Sequence, residues 1–139
     1  MICTFFGHRE CPELQPYIKA VLKELIHHHQ VDTFLVGNNG HFDRQVRSVL
    51  KELSRELPQV RYAVVLSRMP TGKLEDTGDT MLPEGIEAVH PRFSIDWRNR
   101  WMLEQADYVL THIRHDWGGA WKYAQLARKR NKHVINIDV

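Results

Sequence analysis

Apolar positions along the chain alternate between two habits, and the places where one gives way to the other mark out the elements. Residues 2–6 form a short, nearly unbroken apolar run of the kind that a strand buried on both faces requires. Leu14, Tyr17, Ile18, Val21, Leu22, Leu25 and Ile26 then recur at three- and four-residue spacing. That is one face of a helix, and Pro12 and Pro16 are tolerated only near its start. Residues 33–36 read as a second strand. Phe42, Val46, Val49, Leu50, Leu53 and Leu57 trace a second amphipathic helix, which Pro58 stops. Residues 60–66 read as a third strand. Regularity is lost over 67–92 and returns as a helix at 94–105, a strand at 108–113, a helix at 119–131 and a strand at 133–137.

Strands alternating with helices predict an α/β fold, a three-layer Rossmann-like domain over 1–139 with a mainly parallel sheet of about five strands. The expected strand order is 3-2-1-4-5, which puts a topological switch point between the first and fourth strands. The irregular segment at 67–92 contains Pro70, Gly72, Gly78, Pro83, Gly85 and Pro91. At that length it reads as an active-site flap, an oligomer contact, or a loop carrying one extra short strand.

Three of the predicted strands give way to glycine before a helix begins: at Gly7-His8-Arg9, Gly37-Asn38-Asn39-Gly40, and Trp117-Gly118-Gly119. In a parallel sheet all such junctions lie on the carboxyl edge, where open α/β sheets hold ligands. Small residues at helix N-termini bring backbone N–H groups close to an anion, most simply a phosphate or nucleotide. Within these turns Arg9 can grip phosphate, and His8 can donate to an oxygen or meet a base or sugar. Asn38 and Asp43 are candidates for sugar or base contacts, although Asp43 in a first helical turn also suits the helix dipole. Arg98 and Asn99 lie on the preceding helix, from which Arg98 would add a fixed positive charge over the crevice. Trp117 and Trp121 either stack on a base or pack against neighbouring chain. The candidate ligand-binding set is therefore Gly7, His8, Arg9, Gly37, Asn38, Gly40, Asp43, Arg98, Asn99, Gly118 and Gly119.

Composition narrows the partners. A formal net charge of +2 over 139 residues is too small for a nucleic-acid surface. The basic run Arg128-Lys129-Arg130 falls at a helix end, where it opposes the dipole. No apolar stretch is long enough to span a membrane, and no secretory leader is evident, so Cys3 and Cys11 are expected to be reduced thiols in a cytoplasmic protein. Neither a Gly-x-Gly-x-x-Gly fingerprint nor a Walker loop is present, and no nucleophile elbow occurs. His27-His28-His29 point in different directions on a helix, and His112 and His115 lack further ligands at metal spacing. No metal site and no cofactor are expected.

Taken in order, Phe5-Phe6-Gly7-His8-Arg9, Val36-Gly37-x-x-Gly40 with Phe42-Asp43, Arg98-Asn99-x-x-Met102, and Gly118-Gly119-Ala120 with Tyr123-Ala124 resemble the SLOG superfamily, most of all its YpsA-like branch. The resemblance implies a Rossmann-like domain that holds nucleotides or nucleotide-derived ligands in the strand-end crevice, as a sensor or within bacterial and phage systems. A catalytic branch, the LOG phosphoribohydrolases, cleaves the N-glycosidic bond of nucleoside monophosphates. It carries Arg-Lys-x-x-Met and Pro-Gly-Gly-x-Gly-Thr-x-x-Glu motifs. Here Asn99 replaces the lysine, Trp117 the proline, Trp121 and Lys122 the Gly-Thr, and Gln125 the glutamate. Glutamine cannot act as a carboxylate base or stabilise an oxocarbenium-like centre. The expected function is binding or sensing of a nucleotide-like small molecule. The alternatives are a nucleotide N-glycosidase with a non-standard carboxylate, for which Asp96, Glu104 and Asp116 are available, or an interaction module whose glycine turns merely close the fold. A homo-oligomer is compatible with each.

Overall fold

The structure is a computed structural model that describes residues 1–69 and 78–139. Its elements are β1 (Ile2–Gly7), α1 (Gln15–His28), β2 (Thr33–Val36), α2 (Gly40–Glu56), β3 (Arg61–Val65), β4 (Thr80–Met81), α3 (Ser94–Gln105), β5 (Tyr108–His112), α4 (Gly119–Lys129) and β6 (His133–Asn136). Two single 3-10 turns, Ile86–Ala88 and Pro91–Phe93, lead into α3. The strands form one sheet in the order β4-β3-β2-β1-β5-β6. Every pairing is parallel.

Alternation along the strands divides the core into two layers. Cys3 and Phe5 of β1, Phe34 and Val36 of β2, Val64 of β3 and Leu110 of β5 face α1 and α2. Phe6, Leu35, Val65 and Val109, from the opposite face of the same strands, meet Met102 and Leu103 of α3 and Ala120, Tyr123 and Ala127 of α4. Helices therefore cover both faces, making a three-layer Rossmann-like α/β fold. Gln45, buried on α2, accepts from the Leu14 N–H at 2.6 Å and donates to the Pro12 carbonyl at 2.9 Å, which pins the β1–α1 connection over α2.

The expected count of five strands is corrected to six. Among the five longer strands the order 3-2-1-4-5 holds, and β4 adds a sixth strand outside β3. Two residues are too few to carry a period, so β4 left no hydrophobic signature. Polar anchors hold it instead. The Arg47 guanidinium meets Asp79 through Nε at 3.0 Å and Nη2 at 2.6 Å, and the Tyr62 hydroxyl donates to the same carboxylate at 3.0 Å. Of the irregular segment at 67–92, residues 70–77 lie outside the described residues. The rest contains β4 and the two 3-10 turns, so the extra-strand reading describes part of it. No helix among the described residues is long and apolar enough to cross a membrane. Cys3 is buried, Cys11 half-buried, and both are free thiols.

Candidate functional site

Chain order puts the switch point at the β1–β5 pair. From β1 the chain moves outward through β2, β3 and β4, then returns to the other side of β1 for β5 and β6. Gly7 and His112 are register partners at the carboxyl end of that pair. Above them opens a crevice of about 490 Å³ floored by Phe5 and Phe6 and walled by the β1–α1 turn, the start of α2, α3 and the start of α4.

Eight of the sequence-predicted residues line this crevice: Gly7, His8, Arg9, Asp43, Arg98, Asn99, Gly118 and Gly119. Gly37, Asn38 and Gly40 do not, and the second glycine turn acts from behind. A side chain at Gly37 would bring its Cβ within 2.9 Å of Asp43 Oδ2 and 3.2 Å of the Arg98 guanidinium carbon. Gly40 has φ +91° and packs on the Arg9 backbone, a conformation and a closeness that together require glycine. Asn38 borders a smaller polar depression with Asn39, Ser67, Arg68 and Ser94.

Arg98 is 1% exposed, and its guanidinium is a framework cation. Nε donates to Asn99 Oδ1 at 2.8 Å, Nη1 to Asn38 Oδ1 and to the Val65 carbonyl, each at 2.9 Å, and Nη2 to Asn39 Oδ1 at 2.5 Å. Burial lowers its pKa, and the neighbouring Asp43 opposes that. Asp43 is the complementary case. Burial pushes its carboxyl up to about 6, although the Asn39 N–H, donating to Oδ2 at 3.0 Å, and the Arg98 charge both pull the other way. Arg9, by contrast, is exposed, and its guanidinium has no hydrogen bond or ion pair among the described residues. An exposed surface cation and a locked internal one thus flank the same space.

On the far wall, Gly118 takes φ +91° and starts α4 without any side-chain cap. Gly119 and Ala120 line the crevice, and their N–H groups form no internal hydrogen bond among the described residues. Next to them stand three stacked rings. His8 lies 3.8 Å from His115, and His115 lies 3.8 Å from Trp117, centroid to centroid. Trp117 remains 67% exposed. Burial, then the charges available to His115 and His112, lower the His8 pKa. Behind the stack, His112 is buried with its Nδ1 unpartnered among the described residues. Tyr123 closes the floor. Burial and a hydrogen bond to Asp96 push its phenol up to about 12. Asp96 is held below the usual carboxylate range: burial opposes this, but donors from Tyr123, Arg100 and Lys122 prevail.

Sequence reading alone did not assign Asn39, His115 or Tyr123 to the site. Asn39 sits inside the glycine-asparagine turn, where nothing in its letter distinguishes it from Asn38. His115 gains its place only from ring stacking, which has no period. Gln125 lines a separate depression with Arg114, Asp116 and Arg128, outside the main crevice. Among the described residues no group of histidine, cysteine or carboxylate side chains could hold a metal ion. No protein-family model matches the chain, and no curated protein matches it either.

Proposed function

We propose that this protein is a SLOG-like domain that binds or senses a nucleotide or nucleotide-derived ligand in the crevice at the β1–β5 switch point. One observation carries the reading: an arginine with no partner among the described residues and the uncapped start of a helix line one crevice that also offers an exposed aromatic face. Arg9 and the Gly119 and Ala120 amides suit a phosphate. The outer face of Trp117 suits a base. Asp43 suits a ribose hydroxyl. Calorimetric titration with AMP tests it. The wild-type protein should bind, and Arg9→Ala should lose at least about tenfold in affinity, the range for a charged hydrogen bond. Absence of binding by the wild type, or unchanged affinity in the variant, would overturn the assignment.

Asp43 supports a second reading, a nucleotide N-glycosidase. It is a carboxyl in the crevice wall whose proton is held to about pH 6, which is where a carboxyl can serve in acid–base work near neutrality. Incubation with AMP and chromatography for free adenine decides between them. Release of base that Asp43→Asn abolishes would make the protein an enzyme.

A further inference from the structure

His8 is set into the crevice wall by two contacts that between them determine where its proton sits. The Arg114 backbone N–H points at His8 Nε2 from 3.1 Å. A backbone N–H can only donate, so Nε2 must present its lone pair, and the single ring proton of the neutral imidazole lies on Nδ1. The ring plane is fixed in turn by the stack on His115, whose Nδ1 is 2.9 Å from the Trp117 carbonyl. A carbonyl can only accept, so His115 Nδ1 carries hydrogen and that ring too is held in one orientation. His8 Nδ1 has no partner among the described residues, and His8 lines the crevice beside Arg9 and Gly7.

We propose that His8 is a specificity-determining residue: a tautomer-locked, neutral N–H donor that accepts no proton from the ligand and demands an acceptor oxygen, the phosphate of a nucleoside monophosphate. The proposal rests on the nucleotide reading given above for its ligand, but not for the lock. Protonating His8 would break the Arg114 hydrogen bond. It would also place a cation against His115 on the β5–α4 connection, near His112 on β5 and next to Arg9 in its own turn. All of these neighbours are cations or can become cations, and both histidines disfavour charge on His8. The donor therefore adds direction without charge, while Arg9 supplies the charge.

Long-range nitrogen NMR on the ligand-free protein at pH 7 reads the lock directly, with the His8→Ala spectrum used to assign the signal among the nine histidines. A neutral ring with hydrogen on Nδ1 is expected. An Nε2–H tautomer, a rapid mixture of the two, or an imidazolium at that pH overturns the proposal. AMP titration of three variants then asks what the donor serves. An asparagine amide nitrogen falls close to Nδ1, whereas a glutamine amide reaches the Nε2 position. His8→Asn should stay within about threefold of wild type, while His8→Gln and His8→Ala should lose roughly tenfold, the upper range for a neutral hydrogen bond. Equal losses in the asparagine and glutamine variants would assign His8 a packing role only. If the wild type binds no AMP, the nucleotide reading fails and takes the ligand half of this proposal with it, while the NMR result still decides the lock.

Discussion

Ionising Asp43 puts a negative charge into the half-buried crevice wall, and the single N–H donor from Asn39 together with the Arg98 guanidinium does not fully offset the loss of hydration. Its carboxyl rises from 3.8 to about 6 on folding. A raised carboxyl means that the folded chain holds the proton more tightly than the unfolded chain. Stability is therefore greatest below pH 4 with respect to this group and declines as pH rises through 6. Asparagine keeps the acceptor for Asn39 but cannot ionise. Relative to wild type, Asp43→Asn should therefore gain about 2 kcal/mol between pH 4.5 and pH 7.5, read by urea unfolding at the two values. A constant difference between the proteins would mean that Asp43 is well solvated or fully paired. None of this was readable from Asp43 as a letter in a first helical turn, where dipole compensation was an equally good account. Burial beside Gly37 and Arg98 decides it, and burial is a property of the assembled turns.

Among the elements, α4 shows how two adjacent glycines divide their work. Gly118 has φ +91°, which an L side chain adopts only with strain. Gly119 is the first helical residue, has no such backbone, and would place a Cβ no closer than 3.9 Å to Tyr123. Gly118→Ala should cost about 1–2 kcal/mol in chemical unfolding, whereas Gly119→Ala should be neutral within about 0.5 kcal/mol. Equal costs would refute the division. The same contrast measures what the chain made legible. Helices α1 and α2 and the long strands were visible because burial against a sheet imposes periods that survive in the sequence. The β4 strand was not, because Asp79 and Arg47 hold it in place of an apolar pattern. The glycine turns marked the edge correctly, yet could not say that Gly37 and Gly40 support the wall from behind while Gly7 and Gly118 form it. That distinction depends on which side chains pack behind each turn.

At the scale of the whole molecule, the switch point leaves the crevice with walls from chain segments far apart in sequence, and Arg98 ties two of them to the sheet. From α3 it reaches the end of β3 through the Val65 carbonyl and the β2–α2 turn through Asn38 and Asn39. Those acceptors diverge around a planar fork, so a lysine ammonium at the same place could not serve them together. Removing the guanidinium takes the donor from four oxygens, those of Asn38, Asn39, Asn99 and the buried Val65 carbonyl, and leaves Asp43 without its neighbouring cation. Arg98→Ala should therefore cost about 3–5 kcal/mol, as the loss of one member of a buried charged network does, with Arg98→Lys recovering only part. Arg9 is the opposite case, since no hydrogen bond or ion pair among the described residues involves its guanidinium. Thermal unfolding with and without AMP separates the two. AMP at a hundred times its dissociation constant should stabilise the wild type by about 2.7 kcal/mol, roughly 8–10 °C for a chain of this size. Arg9→Ala should keep the ligand-free midpoint and, at the same AMP concentration, lose about half of the shift or more, since tenfold weaker binding leaves about 1.4 kcal/mol. Arg98→Ala should lower the ligand-free midpoint itself. If Arg98→Ala instead melted like wild type and lost only the AMP shift, its guanidinium would be a ligand contact rather than a framework cation.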